Sequence, residues 1–274
     1  MDNSNPDNPS LIQSRQNPKI KFLAGLRKKR DRDRHGCFLV EGGKELVNFL
    51  AAKRPLEELF HCPKFTMGKD QPLLEKAQAS GTQIIELSPH AFEKCSNREN
   101  PDGWLGLAKS WHLPLDDVVF SDMPLLLVLE GTEKPGNLGA ILRTANAAGV
   151  DAVICNDLMV DLFNPNVIRA SRGLLFPMQV AVAEAGNTVD FLKQQGIRTA
   201  ATVCGDGEPI WSRDLSGPMA LVLGNESIGL SEFWQEQADI RVSIPIQGLA
   251  DSLNLSSATA ICIYEILRQN STSP

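Results

Sequence analysis

The 274-residue chain lacks the long apolar runs and the leader sequence that direct proteins to membranes or out of the cell. No apolar run approaches the roughly 18 to 20 residues needed to span a bilayer. The first ten residues, MDNSNPDNPS, lack the basic and apolar regions of a signal peptide, and they are acidic where a mitochondrial transit peptide is rich in arginine. We therefore expect a cytoplasmic protein with no membrane partner.

Cysteine is scarce and widely spaced. Consecutive cysteines lie 25 or more residues apart, and none belongs to a CxxC motif. Closely spaced thiols are typical of zinc sites and disulfide frameworks, so this spacing argues against both. We expect no metal site, and buried free thiols at Cys37, Cys62, Cys95, Cys155, Cys204 and Cys262.

Histidine is absent from residues 113–274, because the four histidines are His35, His61, His90 and His112. Histidine is the commonest general base near neutral pH. A catalytic site in the second half of the chain must therefore work without it.

Two nucleotide-binding signatures are also missing. The GxGxxG motif of dinucleotide-binding folds does not occur. Gly131 and Gly136 have the spacing of a P-loop, but Asn137 and Leu138 stand where its Lys and its Ser or Thr reach the phosphates and magnesium. The sequence therefore argues against a nucleotide hydrolase.

The net charge of −6 conceals an uneven distribution. Between Arg15 and His35 there are nine Lys or Arg against two Asp, a local charge of +7, so the remaining chain carries −13. A basic segment on an acidic body directs a polyanion to one face. The alternative is a solvated charged helix in LAGLRKKRDRDR. The candidate polyanion contacts are Arg15, Lys19, Lys21, Arg27, Lys28, Lys29 and Arg30.

The chain is long enough for two domains, each with its own core. Residues 1–15 are polar and rich in Pro and Asn, which predicts a disordered tail. In residues 16–112 short strand-like and helical runs alternate, which predicts a small α/β domain. Residues 113–122 contain prolines without a clear period and read as a linker. Residues 123–270 form the second domain.

The second domain begins with LLLVLE, whose continuous apolar character is typical of a buried parallel strand. Strands and helices then alternate to the end of the chain, which predicts a doubly wound parallel sheet with helices on both faces. Ligands bind beyond the carboxyl ends of such strands. Three loops follow the carboxyl ends of predicted strands and are the candidate ligand-binding loops: EGTEKPGNLGAILRTA, LVLGNESIGLS and GLADSLNLSSATA.

In the first loop, Asn137 precedes Arg143 by six residues. On a helix that starts near Leu138, Arg143 falls off the apolar stripe, and an arginine in this position can hold a phosphate bidentately. The alternative is a surface arginine with Asn137 as an ordinary N-cap. The apolar stripe consists of Leu138, Ile141, Leu142 and Ala145.

The third loop carries more polar side chains than a helix start requires. Residues 258–267 are apolar except at two positions, which predicts a buried helix. A single N-cap would suffice, and Asp251 or Ser252 can supply it. The surplus indicates a task other than capping. The polar residues are Asp251, Ser252, Asn254, Ser256 and Ser257.

Together, NLGAILRTANAAG, LVLGNESIGLS and IPIQGLADSLNLSSATAICIYE resemble the three motifs of the SpoU (TrmH) branch of the SPOUT RNA methyltransferases, in the right order, within residues 124–267. The sequence NPKIKFLAGLRKKRDRDRHGCFLVEGGKELV is similar to the substrate-binding domain that precedes the catalytic domain in members acting on large-subunit rRNA. The resemblance implies methylation of a ribose 2′-hydroxyl in structured RNA by S-adenosylmethionine. It favours 23S rRNA over tRNA.

The resemblance also implies a C-terminal trefoil knot and a homodimer whose active sites borrow residues from the partner. The matched catalytic and RNA-phosphate positions are Asn137, Arg143, Glu226, Ser252 and Asn254. The matched cofactor positions are Leu223, Gly224, Asn225, Gly229, Ile244, Ile246, Leu253 and Ser256.

One position departs from the family pattern, since Ser227 follows Glu226 where glycine is usual. We expect the serine to be tolerated, because a non-glycine residue can adopt a positive φ at modest cost. A free guanidinium has a pKa above about 12 and resists deprotonation. We therefore expect Arg143 to orient the phosphate and polarise the 2′-oxygen, held by Asn137 and Asn254.

Several alternatives remain open at this point. A base-methylating SPOUT enzyme would share the fold, although the Asn137 to Arg143 spacing fits the ribose branch better. A tRNA 2′-O-methyltransferase, a non-catalytic RNA-binding homologue and a general nucleotide-binding protein are the others. RNA and a second copy of the chain are the expected partners.

Overall fold

The computed structural model describes residues 11–68, 71–205 and 207–272, which form two compact units. Unit 1 contains the described residues up to Trp111 together with Leu162–Pro177. Unit 2 contains His112–Asp161 and the described residues from Met178 onward. The predicted domains were continuous ranges, so the assignment of Leu162–Pro177 to unit 1 differs from them.

Unit 1 is a mixed α/β domain, as its alternating short runs predict. Its five-stranded sheet has the order β1, β4, β3, β5, β2, with antiparallel pairing of β5 to both β3 and β2. The strands are β1 (Leu11–Ile12), β2 (Cys37–Glu41), β3 (Leu56–His61), β4 (Gln83–Leu87) and β5 (Trp104–Lys109). The helices are α1 (Pro18–Gly25), α2 (Lys29–His35), α3 (Gly43–Ala51), α4 (Pro63–Thr66), α5 (Gln71–Ala79) and α6 (Pro89–Cys95).

The predicted disordered tail, residues 1–15, is wrong for its last five positions, while residues 1–10 lie outside the described residues. Leu11 and Ile12 form β1 and pair in parallel with β4. The Ser88 amide donates to the Ile12 carbonyl at 3.0 Å, and Ile12 packs against the core of unit 1. Satisfied backbone groups and apolar burial therefore order this stretch despite its polar surroundings.

Beyond Trp111 the chain forms seven parallel strands in the order β10, β12, β9, β11, β6, β7, β8. This confirms the predicted parallel sheet. The strands are β6 (Leu125–Glu130), β7 (Ala152–Asn156), β8 (Gln179–Val182), β9 (Arg198–Thr202), β10 (Glu208–Pro209), β11 (Met219–Leu223) and β12 (Ile240–Ser243). The helices are α7 (Pro135–Ala148), α8 (Pro165–Ala170), α9 (Ala185–Gln194), α10 (Glu232–Gln237) and α11 (Leu255–Thr272).

Helix α8 and the residues around it belong to unit 1 because their aromatic side chains pack there. The Phe163 ring stacks on Phe38 at 4.4 Å between centroids, and Phe176 meets Phe49 edge-on at 4.9 Å. Aromatic pairs at these distances bury large apolar areas with favourable geometry. Sequence continuity alone could not reveal this packing.

The sheet of unit 2 is buried on both faces. Leu126 and Val128 of β6 pack in one cluster with Leu192 of α9 and Trp234 of α10. The alternate β6 residues are also buried, and α11 contacts both β11 and α7. The trefoil knot stays a prediction. No helix in the described ranges combines the length and apolar character needed to cross a membrane.

Candidate active site

Helix α7 starts three residues earlier than the predicted Leu138, since Pro135 occupies its first turn, where a proline is favoured. Lys134 is the N-cap residue and makes no side-chain cap bond, so Asn137 is not the cap. The predicted apolar stripe is fully buried, whereas Arg143 is exposed. Asn137 is therefore available for another contact.

Asn225 of the second loop joins it to the first loop by a hydrogen bond. Its Nδ2 donates to the Gly131 carbonyl at 2.7 Å, and its Oδ1 accepts from the Ser227 amide at 2.8 Å and the Ile228 amide at 3.3 Å. One side chain thus holds the turn after β11 and joins it to the loop after β6.

Glycine is required at Gly224 because the backbone approaches itself there. A Cβ on Gly224 would lie 2.3 Å from the carbonyl carbon of Gly229. Gly229 has a φ of +74°, whereas Ser227 is not among the described residues with positive φ. The departure from the family pattern at Ser227 therefore carries no left-handed strain.

The third loop is capped by Asn254, not by Asp251 or Ser252 as expected. Asn254 Oδ1 accepts from the Ser256 amide at 3.0 Å, and its carbonyl accepts from the Ala258 amide at 2.9 Å. These two bonds define an N-cap, and α11 accordingly begins at Leu255.

A chain of side-chain hydrogen bonds joins the three loops. Asn254 Nδ2 donates to Asn137 Oδ1 at 3.1 Å, and Asn137 Nδ2 donates to Glu226 Oε1. The bonds link residues 117 and 89 positions apart in sequence. Glu226 Oε2 is buried and has no partner among the described residues. It remains available to accept a hydrogen bond from a bound molecule.

Arg143 stays outside this chain of bonds. It lies about 9 Å farther along α7 than Asn137 and about 240° around the helix. No hydrogen bond or ion pair involves its side chain in the described part of the chain. Within one chain the two asparagines bond to each other and not to Arg143. The expectation that they hold an arginine of the partner chain stays a prediction.

A cavity of about 520 Å³ lies beside the bonded residues. Such a volume suits a ligand larger than a few atoms. Seven of the eight predicted cofactor residues line it, and Ser252 and Glu226 lie at the same cavity. The exception is Ser256, whose hydroxyl lies 2.6 Å from Asn254 Oδ1. The seven residues are Leu223, Gly224, Asn225, Gly229, Ile244, Ile246 and Leu253.

One wall of this cavity, formed by the end of β9 and the loop after it, was not among the predicted site residues. The signal was present, because RTAATV is a parallel strand and the loop after it contains glycines. The lining residues there are Thr202, Val203, Cys204, Gly205, Gly207 and Pro209.

All six cysteines are free. Cys204 is exposed, so the expectation of a buried thiol is wrong there. The other five are buried as predicted, and burial raises the pKa of Cys155 and of Cys262 to about 12. No group of three or more potential metal ligands occurs in the described ranges.

Three of the predicted polyanion contacts in unit 1 bond to the unit itself. Arg15 donates to the His90 carbonyl at 2.8 Å and pairs with Glu93 at 2.9 Å. Lys19 pairs with Glu58 at 2.6 Å. Arg27 donates to the carbonyls of residues 94 and 96. These side chains hold α1 and the residues on either side of it against the rest of the unit.

The remaining predicted cations are more available. Lys29 pairs with Asp33 at exposed positions, and exposed Arg30 lies 3.6 Å from the partly buried Asp31; ion pairs of exposed cations are weak. Lys21 and Lys28 are exposed, and the described residues include no hydrogen-bond or ionic partner for either. Available positive charge is therefore concentrated on fewer residues than the sequence indicated.

Two family matches cover most of the chain. Residues 124–264 match the family described as the SpoU rRNA Methylase family, and residues 17–106 match the MRM3-like substrate binding domain. The first range includes all the bonded residues of the cavity edge, and the second lies within unit 1.

Relatives and solved structures agree with these matches. The 23S rRNA (guanosine(2553)-2′-O)-methyltransferase of Bacillus subtilis strain 168 is 31% identical over 93% of this chain and 98% of its own. A solved RNA 2′-O ribose methyltransferase is 38% identical, with a TM-score of 0.82 over 94% of this chain and 98% of that one. An AdoMet-bound rRNA methyltransferase from Sinorhizobium meliloti is 28% identical, with a TM-score of 0.86 over 94% and 97% of the two chains.

Proposed function

The chain belongs to the SpoU rRNA methylase family, and on this basis we propose that it transfers the methyl group of S-adenosylmethionine to a ribose 2′-hydroxyl of 23S rRNA. The observation that carries the proposal is the bonded chain from Asn254 through Asn137 to Glu226 at the edge of a cavity. The substrate-binding match over residues 17–106 and the rRNA relatives support a ribosomal substrate.

The cavity fits an adenosyl cofactor. Its apolar wall includes Leu223, Ile244 and Leu253, and its backbone is free of side-chain bulk at Gly224. Apolar walls with a few convergent polar groups are typical of cofactor sites. When bound, S-adenosylmethionine supplies an electrophilic methyl group on a sulfonium.

The bonded side chains position the nucleotide. Because the Asn254 and Asn137 amides donate in one direction, toward Glu226, the carboxylate is held in place with Oε2 free. Glu226 Oε2 then accepts a hydrogen bond from a ribose hydroxyl, and the Ser252 hydroxyl donates to the phosphate. Holding the 2′-oxygen in line with the methyl group supplies most of the rate enhancement.

Arg143 completes the site of a partner chain. Arg143 is exposed, and Asn137 and Asn254 of the same chain bond to each other and not to Arg143. Helix α11 exposes Ile261 and Tyr264, three residues apart, at 43% and 54% of their surface. We place these side chains at a homodimer interface that brings Arg143 to the partner's cavity. There its guanidinium would bind the phosphate and polarise the 2′-oxygen, and the 2′-hydroxyl proton would pass to solvent water as the oxygen takes the methyl group.

The proposal is tested with purified protein, 23S rRNA transcribed in vitro and S-adenosylmethionine labelled in its methyl group. Digestion of the RNA to nucleosides should place the label on ribose. Label on a base would indicate a base methyltransferase, and label on tRNA but not on 23S rRNA would indicate the tRNA alternative. Binding of ATP in place of S-adenosylhomocysteine would contradict the cofactor assignment.

A further inference from the structure

The end of α8 and the turn that follows it carry two arginines of unit 1, Arg169 in the helix and Arg172 in the turn. Arg172 has a left-handed φ of +54°, which is unusual for a residue other than glycine. The Asn48 side chain donates to its carbonyl at 2.8 Å. A Cβ on the next residue, Gly173, would lie 2.8 Å from the Glu45 Cα. The turn is therefore pressed against α3, and its conformation is fixed by contacts rather than by its own preference.

Arg169 and Arg172 both point away from the packed side of this segment. Val167, Ile168 and Ser171 are buried, whereas the two arginines are exposed. Neither guanidinium has a hydrogen-bond or ionic partner among the described residues. This contrasts with Arg15, Arg27 and Arg32, which are bonded to carbonyls of the same unit.

The acidic groups closest to this segment are already engaged. Glu41 lines a small cleft with Arg169 and Asn97, but its two oxygens accept from the Ser96 hydroxyl and the Asn97 amide. Glu45 pairs with Arg98 at 3.0 Å. The two arginines are three residues apart in sequence, and an anion bound by both would offset the repulsion between their charges.

We propose that Arg169 and Arg172 form a second RNA phosphate-binding surface on unit 1, in addition to the basic segment of α1 and α2. Guanidinium groups with all donors free match phosphate oxygens bidentately. The inference rests on the proposed function, because it takes the anion to be the backbone of the rRNA substrate. It assigns substrate binding to residues that lie outside the 17–106 match.

The test measures binding of 23S rRNA transcribed in vitro to the full chain saturated with S-adenosylhomocysteine, at several salt concentrations. Each lost phosphate contact should lower the salt slope by about 0.9. The Arg169→Gln/Arg172→Gln variant should bind at least about tenfold more weakly at about 0.1 M salt and lose up to about 1.8 from the slope. The Arg169→Lys/Arg172→Lys variant, which keeps the charge, should retain most of the slope.

The matched control is Lys64→Gln/Lys76→Gln, which removes the same charge from exposed positions of unit 1 on α4 and α5. The control should leave affinity and slope near wild type. Equal losses in both double variants, or no loss in the arginine variant, would overturn the proposal. If the arginine double variant does not fold, Arg169→Gln alone decides, since Arg169 has an ordinary helical backbone. Binding without methylation by the wild type would contradict the proposed function but leave this surface intact.

Discussion

The three loops of unit 2 and the basic segment of unit 1 were predicted from different kinds of signal, and they behave differently in the structure. The loops contribute Asn137, Glu226 and Asn254 from distant positions, and the three side chains bond to one another. The basic segment is continuous in sequence, yet three of its arginines, Arg15, Arg27 and Arg32, donate to carbonyls of unit 1. Arg32 is only 5% exposed and donates to the carbonyls of Leu26 and Arg27 at 2.8 Å each.

The difference teaches that a match to the motifs of a family located bonded side chains better than local charge did. A long cationic side chain gains several hydrogen bonds when it donates to carbonyls of its own domain. Its donors are then unavailable to a phosphate. Charge counted along the sequence does not separate these two uses. The following predictions test the loops and the basic segment against each other, from the largest effect to the smallest.

Arg143→Ala should abolish most methylation in the unit 2 site. Loss of one group that stabilises developing charge costs about 100-fold in kcat. Affinity for S-adenosylhomocysteine should change little, because the proposal places the Arg143 guanidinium against the phosphate and the 2′-oxygen of the RNA and not against the cofactor. The measurement is transfer of labelled methyl to 23S rRNA, with Arg241→Ala, another exposed arginine of unit 2, as the control. Near wild-type turnover by Arg143→Ala would remove it from the site.

Gly224→Ala should weaken cofactor binding, because the new Cβ collides with the backbone of Gly229. Overpacking of this kind costs about 1 to 3 kcal/mol, which corresponds to about 5-fold to 150-fold in affinity if the cost falls on the bound state. Calorimetric titration with S-adenosylhomocysteine measures this affinity. Gly248→Ala is the matched control, since a Cβ there meets nothing within 4 Å and its φ is not positive.

Asn254→Ser and Asn254→Ala separate capping from positioning. Both variants remove the donor to Asn137, so kcat should fall about tenfold in each, the effect of about 1.4 kcal/mol for one lost hydrogen bond. Serine still caps α11, so only the alanine variant should lose about 1 kcal/mol in the free energy of unfolding. Chemical denaturation and turnover are measured together. Equal turnover in Asn254→Ser and wild type would show that Asn254 is only a cap.

Lys21→Gln/Lys28→Gln should have the smallest effect, a loss of up to about 1.8 from the salt slope of RNA binding with no change in stability. Arg32→Gln should leave the salt slope of RNA binding unchanged and lower the stability. It removes charged donors from two carbonyls, at a cost of about 2 kcal/mol in the free energy of unfolding. A large slope change in Arg32→Gln without destabilisation would show that the basic segment acts as the sequence first indicated.

Much of the fold followed from the sequence because continuous apolar strands such as Leu125–Glu130 permit few alternatives in a protein of this length. The position of α8 did not follow, since its placement in unit 1 depends on contacts of Phe163 and Phe176 with residues more than a hundred positions earlier. Such long-range packing leaves no local period in the sequence.

The residues of the candidate site could be predicted from the sequence, but the hydrogen bonds between their side chains could not. The family motifs identified seven lining residues of the cavity, yet Ser256 bonds to Asn254 instead of lining it. The motifs also gave no indication that Asn254 is the cap of α11. Hydrogen-bond partners depend on geometry over a few tenths of an ångström, and spacing along a chain does not determine it.

The central claim, that the bonded loops of unit 2 methylate ribose in 23S rRNA, is tested most directly by mapping 2′-O-methyl groups on total RNA. The map compares a strain lacking the gene with the same strain carrying either the wild-type gene or Arg143→Ala. The account predicts one 23S rRNA position that loses its methyl group in the deletion strain, regains it with the wild-type gene and stays unmethylated with Arg143→Ala. An unchanged 23S rRNA map in the deletion strain would contradict it.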